Sequence, residues 1–237
     1  MRTLFWAWLM VCGLCSVAAA EDPLWAAVAA FRSGHYEEAR TGFEALRDAD
    51  RATDYGAYLG PTYFKLGRLE DARRALAPAF RRGDQDPVAT YYLALTYYRL
   101  GFQRLARSAF EEVQRGAAGP KLTSGAQRFL AELERAQDPL GAEPVAAFAT
   151  NLETIAPDVA FDYGMEALLR ASTPAETQAA TRVLGRLLNS THGGARAFAS
   201  RITGRSLAGA EPVRDLGMGG GNRAAPRFYL PELTDRL

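Results

Sequence analysis

Three aromatic–cation pairs are the residues of this chain whose types and spacing best suit chemistry, and that chemistry is binding. Phe31-Arg32, Phe64-Lys65 and Tyr98-Arg99 recur 33 and then 34 residues apart, each just before a glycine. A cation beside an aromatic ring binds carboxylates and offers a flat apolar surface. Repeated at regular steps, such pairs suit an extended peptide that carries acidic groups.

Residues for catalysis or metal binding are scarce. His35 and His192 are the only histidines, and neither has a ligand partner four residues away, so both are expected to be surface residues. The adjacent acids Glu37-Glu38 and Glu111-Glu112 diverge by about 100° on a helix and indicate solvated faces. The glycine run 217–221 follows no strand, and G-x-S-x-G is absent. The sequence therefore predicts no catalytic residue, no metal site and no cofactor.

The pairs belong to a repeat that runs from Phe31 to Val113. Glycine, alanine and a large apolar residue recur in register at Gly34, Gly67, Gly101, Ala39, Ala72, Ala106, Phe43, Leu76 and Phe110. Apolar spacing on either side of each glycine is helical, so each unit is predicted to be a helical hairpin with a glycine turn. A hairpin of this size cannot bury its apolar face alone and must stack on its neighbours.

These units resemble the tetratricopeptide repeat over residues 22–115. The third unit matches at Leu93, Ala94, Tyr97, Gly101, Phe102, Ala106 and Phe110; the second at Leu59, Gly60, Tyr63, Gly67, Ala72 and Ala79; the first at Gly34, Tyr36, Ala39 and Phe43. The first helix of the first unit departs from the pattern, with Pro23 and Ala26-Ala27 in place of its bulky residue and Leu-Gly pair. The resemblance implies an all-α, right-handed superhelical solenoid of antiparallel helix hairpins.

In that family, residues on the first helix of each hairpin face a concave groove. The resemblance therefore implies a partner-binding groove formed by Phe31, Arg32, Phe64, Lys65, Tyr91, Leu95, Tyr98 and Arg99. An aromatic–cation pair at this place is also frequent in the family, so packing is the alternative interpretation.

The sequence as a whole divides into four segments, the first of which is residues 1–20. Residues 21–136 would hold the three repeats and a capping helix that begins at Ser124, with Gln127 completing a capping box. Residues 137–208 predict helices at about 143–155, 158–170, 174–189 and 193–207, either as degenerate hairpins that continue the solenoid or as a small separate helical domain. Residues 209–237 are rich in Gly and Pro and predict a flexible tail. Its segment 227–231 is either a docking peptide or disordered.

Residues 1–20 predict a secretory signal peptide, with Arg2, an apolar run from Leu4 to Leu14 and small residues at 18–20. An uncleaved anchor and a lipid-modified Cys12 or Cys15 are the alternatives. Both cysteines fall in this segment, and its removal leaves 27 basic against 27 acidic residues. Nothing in that balance favours nucleic acid or an anionic membrane. The expected location is periplasmic or envelope-associated, and the excess of Arg over Lys with abundant Ala is associated with a bacterial source.

The function predicted from these features is a non-enzymatic interaction scaffold or assembly adaptor of the bacterial cell envelope. It would bind a peptide or partner protein in the groove, with no nucleic acid, no cofactor and no membrane span after signal cleavage. Two alternatives remain at this point: a self-associating structural subunit, and an enzyme or cofactor carrier built in residues 140–208.

Overall fold

A computed structural model of the protein describes residues 22–83, 86–116, 118–136, 140–191, 201–202 and 223–224. The described chain is helical apart from two short strands, which confirms the all-α class. The helices are α1 Pro23–Ser33, α2 Tyr36–Ala49, α3 Gly56–Lys65, α4 Leu69–Arg82, α5 Pro87–Leu100, α6 Gln103–Arg115, α7 Pro120–Arg135, α8 Ala142–Leu152, α9 Pro157–Arg170 and α10 Pro174–Thr191. The strands β1 (Thr53–Asp54) and β2 (Arg223–Ala224) pair in parallel, with Thr53 opposite Arg223.

Glycine turns close the three hairpins, as predicted. Gly34, Gly67 and Gly101 have φ of 84°, 74° and 85°, a backbone region that residues with a Cβ rarely adopt. Each glycine lets the chain reverse within two or three residues, so that α1 packs on α2, α3 on α4, and α5 on α6.

Small residues allow the helices of each hairpin to approach closely. Ala39, Ala72 and Ala106, the recurrent alanines, are fully buried. At Gly60 an added Cβ would lie 2.2 Å from Leu76 Cγ, so α3 and α4 pack together only because position 60 has no side chain. Aromatic rings then join one hairpin to the next, for example at Phe43 and Tyr58, whose ring centres stack 5.2 Å apart.

Side chains cap the starts of α5 and α10. The Asp86 carboxylate accepts a hydrogen bond from the Ala89 amide at 2.7 Å, and the Thr173 hydroxyl accepts one from the Glu176 amide at 3.2 Å. The predicted cap at Ser124 is wrong. α7 begins four residues earlier, at Pro120, whose fixed φ suits a first helical position. The Ser124 hydroxyl instead donates back to the carbonyl of Lys121 at 3.1 Å, inside the helix.

The second half lies against the hairpins through α9. Three of its helices were predicted to within a few residues, as α8, α9 and α10. α9 packs on α8 and α10 and also crosses α6, whereas the extensive contacts of α8 are with α9 and α10. The predicted signal peptide and most of the predicted helix 193–207 and tail 209–237 lie outside the described residues.

Candidate functional site

The three predicted aromatic–cation pairs lie in the last turns of α1, α3 and α5, the first helix of each hairpin. In the first pair, Phe31 is buried and its ring packs edge-on against Tyr36, 5.4 Å away in the same hairpin. Arg32 is exposed.

The second and third pairs interlock across neighbouring hairpins. The guanidinium of Arg99 in α5 lies 5.4 Å from the ring centre of Phe64 in α3. The ammonium of Lys65 in α3 lies 5.8 Å from the ring centre of Tyr92 in α5. The Phe64 and Tyr92 rings themselves meet edge to face at 5.6 Å. Each helix thus supplies one cation and one ring, and each cation lies over the ring of the other helix.

α7 extends the same arrangement. The Phe129 ring packs edge-on against the Tyr98 ring, with the two ring centres 5.3 Å apart. The guanidinium of Arg128, the preceding residue, lies 5.4 Å from the centre of the Phe129 ring. The Tyr98 hydroxyl donates to Glu132, and this hydrogen bond raises the pKa of Tyr98. We define the cation–aromatic ladder as Phe64, Lys65, Tyr92, Arg99, Arg128 and Phe129.

The two remaining predicted groove residues are interior. Tyr91 is buried, with its ring 5.8 Å from Phe110, and a Cβ at Gly125 of α7 would lie 2.5 Å from its hydroxyl. Leu95 is buried in the same core. With Phe31 they pack helices together in this structure, and their part in partner binding stays a prediction.

The ladder carries positive charge that the described residues do not neutralise. Lys65, Arg99 and Arg128 form no ion pair with any described residue, although salt bridges are frequent elsewhere in the chain. Lys65 is partly buried, which lowers its pKa because burial disfavours the ammonium. A cation over an aromatic ring has lost part of its hydration, and an anionic group of a ligand can form an ion pair with it.

A buried ionic network joins α4 to α9, and sequence reasoning missed it. Arg73 is 1% exposed and donates through Nη1 to Asp162 at 2.6 Å and through Nη2 to Asp158 at 2.7 Å. Arg81 donates to the other oxygen of Asp162 at 2.6 Å, and burial raises the pKa of the nearby Tyr97 hydroxyl. Asp162 is fully buried, and the two arginines supply the pairing that a buried carboxylate needs.

A second buried acid of α9 caps α6 from outside that helix. The Glu166 carboxylate accepts hydrogen bonds from the backbone amides of Arg104 and Leu105, both at 2.9 Å. These amides lie in the first turn of α6, where no intrahelical acceptor is available. Arg170 pairs with Glu166 at 2.9 Å. Burial raises the pKa of Glu166, even though these donors favour the carboxylate.

The sequence did contain a signal for this network. Asp158, Asp162, Glu166 and Arg170 recur at four-residue steps, which places them along one face of a helix. Such a charged stripe normally indicates a solvated surface. Here the partners are Arg73 and the start of α6, so the stripe is the docking face of α9.

Acidification is expected to remove the contribution that Asp158 makes to this docking. Burial disfavours the charged form of Asp158, but the hydrogen bond and charge of Arg73 outweigh it and hold the pKa of Asp158 below its usual range. Such a carboxyl stabilises the fold above its unfolded pKa of about 4, and the stabilisation is lost as pH falls through the folded pKa.

Urea unfolding of the full chain between pH 5 and pH 2.5 measures this loss. The Asp158→Asn chain should show a shallower fall than the wild type, and Asp48→Asn, at an exposed pair with Arg47, should not. Equal slopes for Asp158→Asn and wild type would contradict the assignment.

Neither a metal site nor a membrane span is found in the part of the chain that the structure describes. No group of three or more His, Cys, Asp or Glu side chains there could hold a metal ion. None of the helices described is both long and apolar enough to cross a bilayer. His35 is exposed in the turn before α2, 3.8 Å from Glu38.

Comparison with known protein families, curated proteins and solved structures finds no match to this chain.

Proposed function

We propose that the protein is a non-enzymatic scaffold that binds an extended, acidic peptide segment of a partner protein across the cation–aromatic ladder. The observation that carries the proposal is the set of three cations, Lys65, Arg99 and Arg128, that lie over aromatic rings without a carboxylate partner among the described residues. Carboxylates of a ligand would pair with the cations, while its apolar side chains pack on the partly exposed rings of Phe64 and Phe129.

The wider architecture in this proposal is a solenoid of the tetratricopeptide type. Its support is the sequence repeat, the left-handed glycine turns and the buried alanines at equivalent positions of three hairpins. We infer a right-handed superhelix in which the first helices carry the ladder. The second helices α4 and α6 are engaged by α9, which leaves the ladder side for a partner.

The proposed setting is the bacterial cell envelope. It rests on the signal-like residues 1–20, and the lack of cysteine in residues 21–237 is compatible with an oxidising compartment. An adaptor that assembles envelope proteins would use the ladder for one partner and other surfaces for a second.

Loss of the two interlocked cations is expected to weaken binding of an acidic peptide. The probe is a fluorescein-labelled peptide that alternates glutamate and tyrosine, and the readout is fluorescence anisotropy with the full chain. The double variant Lys65→Gln, Arg99→Gln should bind about tenfold more weakly, since two ligand carboxylates lose their partners. Salt should weaken binding to the wild type more than binding to this variant.

The matched control is Arg51→Gln with Arg182→Gln, which removes the same charge at exposed positions in the segment before β1 and in α10, neither of which carries a ladder residue. It should change the affinity less than about twofold. Equal losses for the two double variants would show a non-specific charge effect. Equal binding of a peptide with glutamine in place of glutamate would exclude carboxylate recognition and overturn the proposal.

A further inference from the structure

Exposed large apolar side chains are concentrated on and beside α8. In the part of the chain that the structure describes, four such side chains are exposed: Trp25 lies in α1, and the other three lie between residues 140 and 155. Their exposed fractions are 57% for Leu140, 48% for Phe148 and 79% for Ile155. A cluster of this kind on a protein surface is typical of an interface with another molecule.

The helical period places these residues on one side of α8. The opposite side is a buried stripe of one valine and three alanines, and the extensive contacts of α8 are with α9 and α10. At about 100° per residue, the positions opposite the stripe fall within an arc of about 100°. Helical bonding continues past the end of α8, since the Ala156 amide donates to the Leu152 carbonyl at 2.9 Å, so Ile155 belongs to this arc. We define the α8 outer face as the exposed residues Leu140, Pro144, Ala147, Phe148, Asn151 and Ile155.

The α8 outer face carries no charged side chain. The two acids of this segment, Glu143 and Glu153, lie outside the arc, and Glu153 pairs with Arg186 of α10. The Phe148 ring packs edge-on against Tyr163 of α9, with the ring centres 4.8 Å apart, and this contact orients the ring while leaving about half of the residue exposed. A charged partner would find no counter-charge on this face, whereas an identical face meets it without repulsion.

We propose that the α8 outer face binds the same face of a second copy of this chain about a two-fold axis. In a two-fold contact one surface meets itself, which requires complementary residues at similar distances on either side of the centre. Leu140 lies eight residues before Phe148, and Ile155 lies seven residues after it. When two copies of α8 cross antiparallel at Phe148, Leu140 of each copy faces Ile155 of the other, and the two phenylalanine rings meet at the centre.

The size of the face makes this a weak, reversible dimer. Six exposed residues offer on the order of 500 Å² per copy, so that a pair buries about 1,000 Å², the lower limit for a specific interface. We expect a dissociation constant in the micromolar range. The proposal lies beyond the scaffold function and does not depend on it, because no ladder residue lies within residues 140–155.

Sedimentation velocity of the full chain tests the proposal. The wild type should change from monomer to dimer between about 1 and 200 μM, a range that spans a micromolar dissociation constant. Ile155→Glu should raise the dissociation constant at least about tenfold, because each of the two symmetric contacts then buries a carboxylate without a partner. The urea midpoint of this variant should match that of the wild type, since Ile155 is mostly exposed in the monomer.

The matched control is Trp25→Glu, which makes the same kind of change at the exposed apolar residue outside the α8 outer face. It should change the dissociation constant less than about twofold. A wild type that stays monomeric throughout the range would overturn the proposal. So would association that persists in Ile155→Glu, or that is lost equally in the two variants, because the contact would then lie elsewhere in the chain.

Photo-cross-linking supplies a second readout that does not depend on the glutamate variant. A p-benzoylphenylalanine at position 155 is irradiated in an equal mixture of ¹⁵N-labelled and unlabelled full chain, and the linked peptides are mapped by mass spectrometry. The expected product joins a labelled to an unlabelled peptide at residues 140–144, and its yield falls on dilution. Within one chain these positions are about 20 Å apart at the helical rise, too far for a direct link. Links between chains that avoid residues 140–155 would exclude the antiparallel two-fold contact.

Discussion

Replacing Arg73 by alanine is expected to lower the free energy of unfolding by about 3–5 kcal/mol, because a buried ion pair that loses one partner leaves the other charge buried. Asp162, fully buried, would keep only Arg81 as a cation. Asp158 would lose its closest cationic partner at the same time. Equilibrium unfolding of the full chain in urea measures the change.

The neighbouring residue provides the control. Arg74 also approaches Asp158, at 3.9 Å, but its side chain is 61% exposed, so Arg74→Ala should cost about 0.5 kcal/mol or less. Arg73→Met, which retains much of the side-chain volume, should remain strongly destabilised. If Arg73→Met were as stable as the wild type, the effect would be one of packing and not of charge.

The second large effect is expected at Glu166. Glu166→Gln removes the negative charge that faces two backbone amides and Arg170. Glutamine has one acceptor oxygen where Glu166 has two, so fewer of these donors keep an acceptor. The NH₂ group of glutamine would be placed against one of the remaining donors. We expect a loss of about 2–4 kcal/mol, since buried donors without an acceptor are costly.

Hydrogen exchange locates this second effect. The amides of Arg104 and Leu105 should exchange faster in Glu166→Gln, because their acceptor is weakened. The control is Glu176→Gln, which also caps a helix start but has no buried carboxylate, and it should lower the free energy of unfolding much less than Glu166→Gln does. Unchanged exchange at the start of α6 would show that Glu166 does not hold it.

The features that the sequence predicted correctly are those set by neighbouring residues. A left-handed turn needs glycine, which is why Gly34, Gly67 and Gly101 could be placed in turns from their spacing alone. Close helix packing needs a small residue, and the repeat placed Ala39, Ala72 and Ala106 at those contacts. Both rules act over a few residues and leave a periodic trace in the sequence.

The features that it missed depend on residues far apart in the chain. Arg73 and Asp162 are 89 residues apart, and no local pattern distinguishes a buried arginine from a solvated one. The burial of Tyr91 and Leu95 follows from packing against α7 and the core around it, which their spacing in the sequence does not predict. Ser124 has the right neighbours for a cap, yet Pro120 starts the helix before it.

The geometry of Arg73 has a consequence for how the two halves of the chain align. Its three nitrogens bond Glu70 in α4 and Asp158 and Asp162 in α9. A slip of α9 by one helical turn would move its acids by about 5.4 Å, and a rotation by one residue would turn them by about 100°. Either change breaks several directional bonds at once, whereas alanine and leucine contacts tolerate small shifts. We infer that this arginine sets the register in which the second half docks, a specificity that apolar burial alone does not supply.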